Sequence, residues 1–162
     1  HFMKTMDVIT AFDRNLLVLK PGHLVPGKKR RVIDLWWRGE QNGSLMALIA
    51  YLISQHREFG NSVIRIFRIV DEETDPAKAY KRLEELSVQA RIQTQVNVIQ
   101  SQDTPMDVIR KNSADHADMI LLGMSARNVS EMGKFIETVD PLLAGLPTTV
   151  LVHSNGEADV FA

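Results

Sequence analysis

Five apolar, β-branched runs recur along the chain, each followed by a segment whose apolar residues return every three or four positions, and this alternation predicts successive βα units. The first run is Val32 to Trp37. After a loop over Arg38 to Gly43, Ser44 is the expected cap of a helix carrying Leu45, Leu48, Ile49, Leu52 and Ile53 on one face. The second run, Ser62 to Val70, is almost continuously apolar, as a strand covered on both faces is. Asp75 as cap and Pro76 as first residue open a second helix, reaching about Arg91. The third run, Gln95 to Gln100, alternates Val96 and Val98 with polar residues and reads as a half-exposed edge strand. Thr104, Pro105 and Asp107 give the cap, first-turn proline and carboxylate of a helix running to about His116. Met119 to Leu122 is the fourth strand, a loop from Gly123 to Ser130 follows, and Met132, Phe135, Ile136 and Val139 form a helix that Pro141 kinks. Thr148 to Val152 is the fifth strand.

Parallel strands joined by right-handed helical crossovers predict an α/β, doubly wound, mostly parallel five-stranded sheet of order 3-2-1-4-5, with helices on both faces. Leu16 to Leu19 is an additional strand candidate, to be placed at an edge or exchanged with a second copy. Residues 1–30 are therefore read as an N-terminal remnant with that strand and a linker, 31–154 as the α/β domain, and 155–162 as a frayed tail. Met3 is the expected natural start, which makes His1 and Phe2 additions.

The 162 residues suit one domain, and a net charge of −1 provides no global attraction to nucleic acid or anionic lipid. Lys28-Lys29-Arg30-Arg31 is the one basic cluster, and its place just before an apolar run favours a solvated strand entry over a binding patch. Cysteine is absent, which excludes disulfides and thiolate chemistry, and the longest apolar stretch, Leu45 to Ile53, is about half of a membrane span. No direct membrane insertion is expected.

In doubly wound sheets ligands bind beyond the carboxyl ends of the strands, where connections diverge to opposite faces. Here that crevice is walled by Arg38 to Gly43 and Gly123 to Asn128. Gly39, Asn42, Gly43, Gly123, Ser125 and Arg127 are thus the candidate residues for a nucleotide or anion. Neither loop fits G-x-G-x-x-G or the P-loop. Gly123-Met124-Ser125-Ala126-Arg127 occupies the place of a nucleophile elbow, with Asp140 and His153 following in hydrolase order, but the second glycine is missing. The five histidines form no H-x-x-x-H pair, so no metal is expected, and no resident cofactor is assigned beyond the nucleotide the crevice would take. Trp36 and Trp37 must point to opposite sheet faces and read as core.

The run Arg31-Val32-Ile33-Asp34-Leu35-Trp36-Trp37, a glycine-containing loop, and Ser44 to Ile53 together resemble the C-terminal cytosolic domain of cation-chloride cotransporters, the Na-K-Cl cotransporters among them. Ser62 to Val70 is similar to that family's R-I-F strand, and Ala117 to Met124 to its late strand and loop. The resemblance implies a universal-stress-protein-like fold in a compact, prokaryotic type of regulatory domain at the cytoplasmic face of the cell membrane. Its implied partners are the transmembrane domain of the same transporter and a second copy in a homodimer, with no nucleic acid and no catalysis. The universal stress protein nucleotide pattern, G-x-x-G followed after nine residues by G-[ST], is missing, since Gly123 is followed by Arg127 and an isolated Gly133. The other reading of the same chain is a freestanding nucleotide-binding domain of that fold.

Overall fold

A computed structural model describes residues 14–124 and 129–157. One six-stranded sheet runs through it: β1 (Leu16–Lys20), β2 (Val32–Trp36), β3 (Val63–Val70), β4 (Thr94–Gln100), β5 (Met119–Gly123) and β6 (Thr148–His153). The order is β1-β6-β5-β2-β3-β4. β2 to β6 are parallel, and β1 pairs antiparallel with β6 in the register Leu16 to His153 through Lys20 to Thr149. The five-strand order expected from the alternation of elements is present, and Leu16 to Leu19 joins it as an edge strand within the same chain. Thr148 to Val152 consequently has a neighbour on each side and is not the edge strand that the order 3-2-1-4-5 makes it.

The helices α1 (Glu40–Ser54), α2 (Pro76–Gln89), α3 (Pro105–Ser113) and α4 (Val129–Val139) divide between the faces because the strand side chains alternate. Ile33, Leu35, Ile64, Ile66, Leu121, Val150 and Val152 meet Leu45, Met46, Ala50, Leu83 and Leu86 of α1 and α2. Trp36, Phe67, Ile120, Leu122 and Leu151 meet Val108, Ile109, Met132 and Val139 of α3 and α4. The adjacent tryptophans follow the same rule. Trp36 lies in the α3/α4 layer and stacks on Phe67 with centroids 4.5 Å apart, while Trp37 lies under α1.

Two of the expected helix starts are confirmed by their caps. Asp75 accepts from the Ala77 N–H at 2.9 Å, and Thr104 accepts from the Asp107 N–H at 3.3 Å. α3 ends at Ser113 rather than His116. α1 is different: it begins at Glu40, its N-cap is Gly39, and no side chain caps it. Ser44 is buried inside the helix instead. Gly43 also belongs to the helix, and it lies so close to the Trp37 ring that a Cβ there would overlap the indole. A larger residue at 43 and a tryptophan at 37 exclude one another.

Candidate functional site

At the carboxyl ends of the parallel strands, α1 begins beside the segments leaving β5 and β6. The half-buried Asn42 projects into this crevice, its Nδ2 donating to the Met124 carbonyl at 2.9 Å and its Oδ1 accepting from the Ser154 N–H at 2.9 Å. Gln41 adds a bond from Nε2 to the Ser154 carbonyl at 2.7 Å. Gly123 is a glycine for a spatial reason, since a Cβ there would be 3.1 Å from the Asn42 side chain. The structure therefore brings Asn42 and Gly123 together, as the switch-point argument expects, with the Asn42 amide bonded to the backbone just past the ends of β5 and β6. Gly39 ends an extended segment at φ −174° just before the helix, and Gly43 faces inward onto Trp37. Ser125 and Arg127 lie outside the described residues.

On the α3/α4 side of the same end, a cleft of about 770 Å³ opens between the β2 and β3 termini and the start of α3. Its lining includes Trp36, Arg38, Arg68, Met106, Gly123 and Phe135. The lining is mainly apolar, with Arg38, Arg68 and the Asp107 carboxylate as its charged members.

The hydrolase order of Asp140 and His153 does not become a constellation. Asp140 pairs with Lys20 at 2.6 Å on the surface, and Lys20 registers with Thr149 near the start of β6, whereas His153 closes that strand.

A polar network that the sequence reading passed over lies beneath α3. Asp34 is fully buried in the middle of β2. Its carboxylate accepts from Arg65 Nε at 2.7 Å and Nη2 at 2.6 Å, and from Ser113 Oγ at 2.6 Å. Ser113 in turn accepts from the Trp36 indole N–H at 3.0 Å, and the Arg65 guanidinium lies over Phe67, 5.0 Å from its centroid. Burial raises the Asp34 carboxyl above the ordinary carboxylate range, opposed in part by the bonds from Arg65 and Ser113 and by the charges of Arg65 and His116. One signal in the sequence points to it. An aspartate in the middle of an otherwise apolar strand needs a partner, and an arginine stands on the neighbouring strand in the paired register Asp34 to Arg65.

A second buried carboxylate organises the opposite, amino-terminal end. Asp118 Oδ2 accepts from Lys28 Nζ at 2.8 Å and from the Val32 N–H at 2.8 Å, and Arg31 Nη1 approaches Oδ1 at 3.5 Å. Two of the four basic residues before β2 thus fasten the strand entry, and Arg31 does so from a buried position rather than a solvated one.

A search of solved structures finds a match to the crystal structure of the cytoplasmic domain of a prokaryotic cation chloride cotransporter, with a TM-score of 0.61 and 15% sequence identity. The match covers 99% of this chain and 60% of that one, so the present chain spans a little over half the length of the structure it resembles. At that identity the likeness is one of fold, and it agrees with the six-stranded doubly wound sheet. The model of solute carrier family 12 matches residues 23–136, from the turn before β2 into α4. That region contains β2 to β5, the Asp34 and Asp118 networks and the Trp36-Trp37 pair on which the cation-chloride cotransporter resemblance rests, and the chain belongs to solute carrier family 12.

Proposed function

We propose that this chain is a non-catalytic, cytosolic regulatory and assembly domain of a cation-chloride-cotransporter-like membrane protein, with the transmembrane domain of the same transporter as its partner. The family match carries the reading, because it falls on an α/β sheet domain rather than on the apolar helices of a transport path. Among the described residues no helix is long and apolar enough to cross a membrane. The domain then acts by what it holds together.

The assembly role is supported by β1. Leu17 and Leu19 are 50% and 59% exposed, although their register partners Val152 and Val150 are buried in the α1/α2 layer. The outer edge of β1 also offers unpaired backbone groups. The apolar stripe of α4, by contrast, is directed inward: Met132 and Val139 are buried and Phe135 and Ile136 half-buried in the core. A second copy against β1 would cover both the edge and the leucines, and tethering two copies to one membrane raises their effective concentration enough to occupy a weak contact. The test is the paired substitution Leu17→Lys and Leu19→Lys in the whole transporter. Ion flux and cross-linked dimer are expected to fall together with ion selectivity unchanged. Intact dimer and flux would refute the assembly role.

The cleft bounded by Arg38 and Arg68 favours a second reading, in which the domain binds a nucleotide. The apolar lining would take the base and the arginines the phosphates. Calorimetry with ATP and AMP should then give binding heat that Arg38→Glu with Arg68→Glu abolishes. No heat with either nucleotide would end this reading.

A further inference from the structure

The amino-terminal end of the sheet carries a second cleft, about 580 Å³ in volume, between the turn that enters β2 and the 3-10 turn Arg57–Phe59 before β3. Four cations line it: Lys28, Lys29, Arg31 and Arg57. Asp118 takes Lys28 and the edge of Arg31, and Glu58 is the one carboxylate of the lining. Lys29 and Arg57 have no carboxylate partner among the described residues and are exposed. The cleft therefore holds two positive charges more than its acids neutralise.

Arg31 is the independent sign that an acceptor is missing. It is 5% exposed and held on three sides, by the Val25 carbonyl at 2.6 Å, by Asp118, and by the Phe59 ring 5.8 Å from its guanidinium carbon. Its Nε–H is nonetheless buried with no hydrogen-bond partner, and it is the one such side-chain atom among the described residues. A buried donor of a charged group without an acceptor is costly, and Arg31, part of the cleft lining, would gain one from an anion that entered and drew its guanidinium toward the cleft. Asn61 contributes an amide to the wall, and Leu24 and Pro26 an apolar rim.

We propose that this cleft binds an organic phosphate, a dianion matched to the double excess of positive charge, with Lys29 and Arg57 at the mouth and Arg31 at the base. The volume exceeds that of a bare phosphate and falls within the range of small-molecule sites. The same chemistry is presented by a soluble phosphate ester and by a phosphoinositide headgroup in a membrane surface. The proposal is independent of the transporter reading and of the cleft at the other end of the sheet.

The test uses the full 162-residue chain with inositol 1,4,5-trisphosphate and glycerol 2-phosphate as soluble probes, and phosphatidylcholine vesicles with and without phosphatidylinositol 4,5-bisphosphate as the membrane arm. Lys29→Gln with Arg57→Gln, both exposed, is expected to weaken binding by about tenfold or more while leaving the unfolding midpoint unchanged. Binding to the soluble probes alone assigns a free metabolite as the source, and binding that extends to the phosphoinositide vesicles assigns a lipid. Absence of binding to every probe, or binding that the double substitution leaves intact, overturns the proposal.

Discussion

Arg65→Met isolates the contribution of the buried network. Methionine preserves much of the apolar stem that lies on Phe67 and removes the two bonds of 2.7 and 2.6 Å that compensate the fully buried Asp34 carboxylate. Only the Ser113 bond would remain. Breaking a buried pair by deleting one partner costs about 3–5 kcal/mol. Because Arg65 itself is 20% exposed and water can reach the vacated place, the lower end, about 3 kcal/mol at neutral pH, is expected. For a domain of this size that lowers the melting temperature by roughly 6–12 °C. The pH dependence has a definite sign. Asp34 already has a folded-state pKa above its unfolded value of 3.8, so its contribution favours the folded protein fully below that value and is lost as pH rises through the folded one. Removing Arg65 deletes two of the influences that hold the carboxyl down, raising it further. The deficit of the variant should thus be largest at neutral pH and shrink on acidification, as the stranded carboxyl takes up a proton. Urea unfolding followed by the fluorescence of Trp36 and Trp37 measures both effects. A loss below about 1 kcal/mol at neutral pH, the scale of a surface pair, or a deficit that stays constant or grows on acidification, would refute the argument. Asp34→Asn combined with Arg65→Met should recover most of the loss, since the buried charge is then gone.

Gly43→Ala should destabilise by about 1–3 kcal/mol, despite alanine's better helix propensity, because its methyl meets the Trp37 ring; chemical denaturation showing stabilisation would contradict the packing described. Asn42→Ala should cost about 1–3 kcal/mol by stranding the Ser154 N–H, and hydrogen exchange at Ser154 should accelerate selectively, whereas unchanged protection there would deny the bridge.

The fold was legible where its signals are local. Asp75 with Pro76 and Thr104 with Pro105 locate two helix starts because cap and first turn adjoin in sequence. The same logic misplaced the start of α1, where Ser44 has the chemistry of a cap but sits in the buried face, and where glycine at 43 looks like a breaker while its actual reason, the Trp37 ring, comes from tertiary packing. β6 read as an edge because the order 3-2-1-4-5 leaves its outer side open, and its second neighbour comes instead from more than a hundred residues earlier. Of the crevice residues, the meeting of Asn42 and Gly123 followed from topology alone. The Asp34 network was hidden for a different reason: its partners Arg65 and Ser113 lie 31 and 79 positions away, and no single window contains them.

The antiparallel attachment of β1 has a mechanical consequence. Leu16 stands opposite His153, and the Asn155 N–H donates to Asn15 Oδ1 at 2.8 Å, so the two ends of the described fold emerge together at the pole where the parallel strands finish. A pull that separates those two ends acts across the ladder rather than along it, so it opens the Leu16 to His153 pair first and peels the five residue pairs of β1 one by one. A load shared between the two ends therefore reaches the Leu17 pair early and the Lys20 pair last, at the far end of the ladder.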